Sequence, residues 1–157
     1  MIEIERKFLV KSNKYKPEST SQSEIVQGFL STHPERTVRV RIKGKSGFIT
    51  VKGKSNTSGT SRFEWEREID IDEARVLLAL CEKPILEKKR YLVPVGNHLF
   101  EVDEFYGANK GLIVAEVELG SENEPFEQPE WLGREVTGDV KYYNSQLTIK
   151  PYNTWNL

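Results

Sequence analysis

The sequence predicts a mainly β domain of the α+β class, built as an antiparallel meander or a closed barrel. Three observations predict it. About eight segments of strand length alternate apolar and polar residues or carry strand composition. They follow one another through short connections, which suits antiparallel neighbours. One stretch, 73–82, carries a clear helical period instead. At 157 residues the chain reads as a single domain over 1–157, long enough to bury a real core.

The elements fall in order. Residues 2–10 (IEIERKFLV) alternate up to Lys7 and form the first strand. Residues 11–21 are rich in Ser, Lys and Asn and hold Pro17, so they read as a loop. Residues 22–31 form a strand, and 36–43 and 47–54 pair as a hairpin around Lys43-Gly44-Lys45-Ser46-Gly47. A polar loop over 53–61 leads to a strand at 62–71. Asp72 then caps a helix over 73–82, with Val76, Leu77, Leu80 and Cys81 as its apolar stripe. Residues 84–95 and 98–106 pair across Gly96-Asn97, and 111–119 add the last strand. The Pro- and Glu-rich tail from 120 offers short helices near 128–133 and 139–146.

Composition narrows the function. Charged residues make up 30% of the chain, mean hydropathy is −0.56, and net charge is only −1. No global field draws in nucleic acid or anionic lipid, so neither is expected as a partner. The single Cys81 excludes an internal disulfide and suits a reducing compartment. No apolar run reaches membrane-spanning length, and the chain opens on Glu3, Glu5 and Lys7 without a signal-like stretch. A cytoplasmic location is the expectation.

The information lies in how charge is arranged. Residues i and i+2 of a strand point to one face. Charged pairs at that spacing recur in strand after strand: Glu3/Glu5/Lys7, Arg39/Arg41, Glu64/Glu66, Lys88/Arg90, Glu101/Asp103 and Glu116/Glu118, with Lys52 two after Thr50. Apolar residues hold the opposite faces, as with Val38, Val40 and Ile42 behind Arg39 and Arg41.

For one strand a solvated outer face explains such a pair. Three details favour a site. Signs do not mix within most pairs, although like charges on one face repel. Arg fills positions 39, 41 and 90, and its fork matches phosphate oxygens. Acidic and basic strands occur together, which suits a metal and a polyanion in one place. Six basic and eight acidic members leave −2. Two divalent cations would turn that to +2, and a phosphate chain would then bind. Carboxylate oxygens suit Mg2+, Ca2+ or Mn2+.

In their order along the chain these residues resemble the signature of the CYTH domain, the triphosphate tunnel metalloenzymes, of short bacterial type. The run is E-x-E-x-K at Glu3-x-Glu5-x-Lys7, then R-x-R, T-x-K, E-x-E, K-x-R, E-x-D and a last E-x-E. The tail Trp131-Leu132-Gly133-Arg134-Glu135-Val136-Thr137 and Tyr142-x-Asn144 resemble it too. The resemblance implies a closed eight-stranded antiparallel β-barrel with flanking helices and a charged tunnel.

It also implies roles. Lys7, Arg39, Arg41, Lys52, Lys88 and Arg90 would hold phosphate oxygens, with Arg134 reaching in from the tail. Glu3, Glu5, Glu64, Glu66, Glu116 and Glu118 would ligate two Mg2+ or Mn2+ ions. Asp103, with Glu101, would be shared between metal and orientation of the bases. Lys7, Glu5 and Glu66 are the candidate catalytic residues, Glu5 or Glu66 taking the proton of an attacking water.

The implied function is metal-dependent hydrolysis of a small triphosphate, inorganic tripolyphosphate first. Alternatives are an adenylate cyclase forming cyclic AMP, a thiamine or nucleoside triphosphatase, or a polyphosphate-binding module without turnover. The oligomeric state stays open, a homodimer being one option. Phe29 stands where the family often carries Tyr and cannot donate a hydrogen bond, which bears on substrate preference.

Other features have plainer readings. Gly44-Lys45-Ser46 and Gly53-Lys54-Ser55 lack the rest of a P-loop and read as turns. His33 and His98 read as surface residues, and Cys81 as packing.

Overall fold

The computed structural model describes residues 1–156. Nine strands form one sheet: β1 (Ile2–Val10), β2 (Ser21–Ser31), β3 (Arg36–Lys43), β4 (Ser46–Gly53), β5 (Ser61–Ile69), β6 (Leu86–Val95), β7 (His98–Phe105), β8 (Ile113–Glu118) and β9 (Leu132–Glu135). Their order is β5-β4-β3-β2-β6-β7-β8-β1-β9, and β5 also pairs with β1. That last pairing closes β1–β8 into an antiparallel barrel, with β9 as an extra strand on β1.

Two-residue loops, Gly44-Lys45 and Gly96-Asn97, join β3 to β4 and β6 to β7. Each places glycine at positive φ, +61° and +58°, in the first loop position. Only glycine takes that turn without strain, and its twist matches the flanking strands.

The outer wall is covered in two places. Over β2–β4 lies α2 (Ile71–Ala79), whose N-cap is Asp70, with Oδ1 accepting from Asp72 N at 2.8 Å. The cap thus lies two residues before the expected Asp72. Ala74, Leu77, Leu78 and Cys81 pack against Val40 and Ile42. Val76 and Leu80, expected in the stripe, are 64% and 70% exposed. The true stripe runs i, i+3, i+4, i+7 from Ala74, and a small alanine admitted no obvious start to it.

Over β6, β7 and β8 the outer core holds Tyr91, Phe100, Val102 and Val117. The region 11–21, expected as loop, contains one helical turn, α1 (Tyr15–Glu18). Its Tyr15 is fully buried, edge-on to Tyr91 and Trp131, and its hydroxyl donates to Glu104.

The tail departs most from expectation. Residues 128–133 form no helix; Leu132–Glu135 are β9, paired to Phe8 and Val10 of β1. Trp131 anchors the approach by filling the outer core. The expected helix at 139–146 is instead a 3-10 turn at Val140–Tyr142 followed by α3 (Asn144–Ile149). Tyr142 and Leu147 pack on Phe29, Leu86, Phe105 and Val114. By strand alternation and register those four face the barrel interior. One end of the lumen is therefore filled with apolar side chains under the tail, and the rest is charged.

Candidate functional site

Inside the barrel lies a cavity of about 220 Å3. Its basic wall comes from Arg39 and Arg41 on β3, Lys52 on β4, and Lys88 and Arg90 on β6. Its acidic wall comes from Glu3 and Glu5 on β1, Glu101 on β7, and Glu116 and Glu118 on β8. Glu64 and Glu66 on β5 and Lys7 on β1 also face the cavity. Strand register builds these walls: Glu5 lies opposite Glu118, Lys7 opposite Glu116, and Glu101 opposite Glu116.

One rung crosses β3, β4 and β5. Arg39 pairs with Thr50, and Thr50 with Glu66. The Thr50 hydroxyl donates to Glu66 Oε1 at 2.7 Å and accepts from Arg39 Nη2 at 3.2 Å. Arg39 and Arg41 each also donate an Nη2–H to Glu66 Oε1 at 3.4 Å. Burial works against the Glu66 charge, but Thr50 and the two arginines hold its carboxyl below the usual range. Burial, then the neighbouring Arg39 and Arg90 charges, pushes Arg41 down to about 10. The Nε atoms of Arg39 and Arg41 are buried without a partner. Buried donors of this kind call for a ligand acceptor or water.

Lys52 Nζ sits 2.8 Å from Glu3 and 3.3 Å from Glu64, tying two strands by one charge. Burial raises Glu64, with the Glu3 charge adding to it. Glu5 and Glu116 interact directly. Burial and the Glu116 charge raise Glu5 well above the usual range. Glu116 is held well below it, Lys7 and the Glu5 hydrogen bond outweighing its burial. As close like charges, the two carboxyls oppose each other's ionisation.

Beneath the basic wall, Asp103 takes Lys88 Nζ at 2.8 Å and Arg90 through two hydrogen bonds. It is 2% exposed and lies behind the cavity lining, not in it. The metal-ligand role expected for Asp103 is not what this position offers: both its oxygens are taken by Lys88 and Arg90. Arg134 also lies outside. It is exposed on β9, where its Nη2 reaches the Tyr142 hydroxyl at 3.4 Å. The pairing of β9 with the end of β1 keeps it out of the lumen.

The tail supplies polar groups that the sequence motifs did not single out for the site. Tyr142 O accepts from Lys7 Nζ at 3.2 Å. Asn144 Oδ1 accepts from Lys88 Nζ at 2.9 Å and Gln27 Nε2 at 2.7 Å. Tyr143 and Arg62 line the cavity as well, and Phe29 closes one side. Arg62 was legible in principle, since it precedes Glu64 by two and shares its face.

The donor chemistry fits divalent ions. Carboxylate oxygens from β1, β5 and β8 line one cavity, and the mutual repulsion of Glu5 and Glu116 is what a cation between them would relieve. Among the described residues no three such groups are already drawn together at ligating distance. Several are engaged by lysine and arginine instead, so a metal would exchange with those partners.

A barrel whose lumen opposes a buried basic wall to an acidic one defines a class of protein built to take a small polyanion. The chain belongs to the CYTH domain family, whose model matches residues 1–147. It is 46% identical to the inorganic triphosphatase of Acetivibrio thermocellus over 98% of this chain and 97% of that one. With the inorganic triphosphatase of Nitrosomonas europaea it shares 37%, over 95% of this chain and 98% of that one.

A solved inorganic triphosphatase superposes with a TM-score of 0.66 at 34% identity, covering 93% of this chain and 97% of its own. A Hippeastrum protein described as a putative adenylyl cyclase with a dominant triphosphatase activity superposes at 0.60, with 17% identity over 76% and 80% of the two chains. That likeness concerns the fold alone. No helix among the described residues is long and apolar enough to cross a membrane.

Proposed function

We propose that this protein hydrolyses inorganic tripolyphosphate with divalent metal, inside the barrel. The carrying observation is the pair of opposed walls, with Arg39 and Arg41 keeping buried, unpartnered Nε donors. The cavity of about 220 Å3 holds several waters, a space suited to a short phosphate chain. The triphosphatases at 46% and 37% identity support the same substrate.

Arg39, Arg41, Lys88 and Arg90 bind phosphate oxygens and offset charge that develops at the leaving oxygen. Asp103 holds Lys88 and Arg90 in place. Glu3, Glu5, Glu64, Glu116 and Glu118 would hold Mg2+ or Mn2+. The metal supplies Lewis-acid charge and a more acidic water. Of the two carboxylates considered as proton acceptors, Glu5 holds its own proton strongly and would first have to lose it to a bound cation. Glu66 is committed to Thr50, Arg39 and Arg41 and stays ionised.

The test is phosphate release from tripolyphosphate, ATP and thiamine triphosphate with Mg2+, Mn2+ or EDTA, with cyclic AMP assayed alongside. Fast, EDTA-sensitive release, greatest from tripolyphosphate, is expected. Cyclic AMP as the main product, or no release from any substrate, overturns the reading.

A further inference from the structure

We propose that Arg62 is a further substrate-binding residue, holding the terminal phosphoryl group of a linear phosphate chain at a closed end of the barrel. This rests on the triphosphatase reading and adds that the site takes its substrate end-on.

Arg62 lies on β5 opposite Glu3 of β1, two residues before Glu64 and on the same face. Its side chain is only 21% exposed, yet the nearest carboxylate oxygen, Glu3 Oε1, is 3.9 Å from Nε. That exceeds hydrogen-bond length, and among the described residues nothing else accepts from its guanidinium. Five N–H donors in a planar fork thus open onto the cavity without a protein acceptor. A half-buried guanidinium that lines the cavity with its donors uncommitted to protein acceptors is placed to take a bound oxyanion.

Its surroundings form an end. The Arg62 guanidinium carbon lies 5.7 Å from the centre of the Tyr143 ring, and Lys7 Nζ lies 5.5 Å from the same ring. Behind them the β4–β5 loop meets the turn after β9. A Cβ added to Gly59 would come 2.4 Å from Gly138 Cα, so the two backbones touch with no space between. The space left there is about 20 Å3, room for about one water. A phosphate chain entering from the far side of the cavity stops at this point.

The charge at the stop matches a chain terminus. A terminal phosphoryl group carries one more free oxygen and more negative charge than an internal one. Arg62 offers a fork for two oxygens and Lys7 a point charge for a third. The remaining phosphates then run along Arg39, Arg41, Lys88 and Arg90. A nucleoside triphosphate can bind only with its nucleoside at the other mouth.

The test uses isothermal titration with Mg2+ and non-hydrolysable ligands: a methylene-bridged analogue of tripolyphosphate, a methylene-bridged analogue of ATP, and diadenosine triphosphate, which has no free terminus. Arg62→Gln should weaken both methylene analogues by about tenfold or more, and by the same factor, as loss of charged hydrogen bonds does. Arg62→Lys should recover part of the loss, and decides the matter should the first variant not fold. In turnover, KM for tripolyphosphate should rise while kcat changes less than about threefold. Diadenosine triphosphate should not bind the native chain.

Arg62→Gln binding the analogues as tightly as the native chain overturns the proposal. So does diadenosine triphosphate binding as well as the tripolyphosphate analogue. A native chain that binds tripolyphosphate without cleaving it overturns the hydrolase reading alone, and the binding comparison still decides for Arg62.

Discussion

The Arg90 guanidinium grips the Asp103 carboxylate edge to edge, Nε to Oδ1 at 2.8 Å and Nη2 to Oδ2 at 2.9 Å. Both side chains are buried, and Lys88 adds a third contact to the same carboxylate. Neutralising Asp103 would leave buried Lys88 without a paired carboxylate and Arg90 with Glu101 alone. Asp103→Asn should cost about 3–5 kcal/mol at neutral pH, read by urea denaturation. A loss under 1 kcal/mol would show that solvent reaches the pair.

The pH dependence of that contribution has a definite sign. Burial works against the Asp103 charge, but Arg90 and Lys88 hold its carboxyl down at about 2. An unfolded Asp titrates near about 3.9. A depressed folded value stabilises above the unfolded one and is lost as pH falls through the folded one. The stability gap between native protein and Asp103→Asn should therefore narrow between about pH 4 and 2.

Lys88 behaves differently. At 1% exposure, burial pushes its ammonium down to about 8, and the Arg90 charge adds to the effect against Asp103. Above that pH the basic wall loses a charge. The kcat/KM for tripolyphosphate should fall on the alkaline side with an apparent pKa near 8, since that ratio reports the free enzyme. Lys88→Arg should move the limb well to the alkaline side. An unmoved limb would assign it to another group.

Thr50 links the basic and acidic sides of one rung. Thr50→Val keeps the shape and removes both hydrogen bonds of the hydroxyl. Glu66 and Arg39 then lose a common tether, and KM should rise about 3–10-fold from a net effect near 1 kcal/mol. Steady-state kinetics with a melting curve checks this, the melting temperature shifting little.

Gly59 takes φ of +79° against Gly138. Gly59→Ala would meet both a left-handed backbone and a steric overlap, costing at least about 1–2 kcal/mol. Thermal unfolding reads the loss, and an Ala variant as stable as the parent would mean that loop and tail separate freely.

Period-two alternation made β1, β3, β4, β5 and β8 legible, because one face is apolar and the other charged. The same alternation pointed thirteen of the expected charged side chains inward, from Glu3 to Glu118. What it could not give was depth. Asp103 keeps the period yet sits behind the wall, since Lys88 and Arg90 close over it. Arg134 belongs to a motif whose strand pairs at the barrel rim, where facing outward costs nothing.

The tail was read least well. Its short segments carry too few residues for a period, and Trp131, Tyr142 and Leu147 are placed by the surfaces they fill. The α2 stripe misled because Leu80 and Val76 are apolar but unpacked, while small Ala74 is fully buried. Packing overrides composition there.

The barrel closes through a short ladder, Ile2–Phe63, Glu3–Arg62 and Ile4–Ser61, flanked by Glu64 N–Met1 O and Glu5 N–Thr60 O bonds. They join the first strand to the fifth, so the chain must bring distant segments together with little ladder to reward it. This seam should form late in folding and open first in native-state hydrogen exchange. It also carries Glu3 and Arg62, one from each side of the charge divide. A ligand that engages both would act as a clasp on the ring, slowing exchange at the seam far more than in the β6–β7 hairpin.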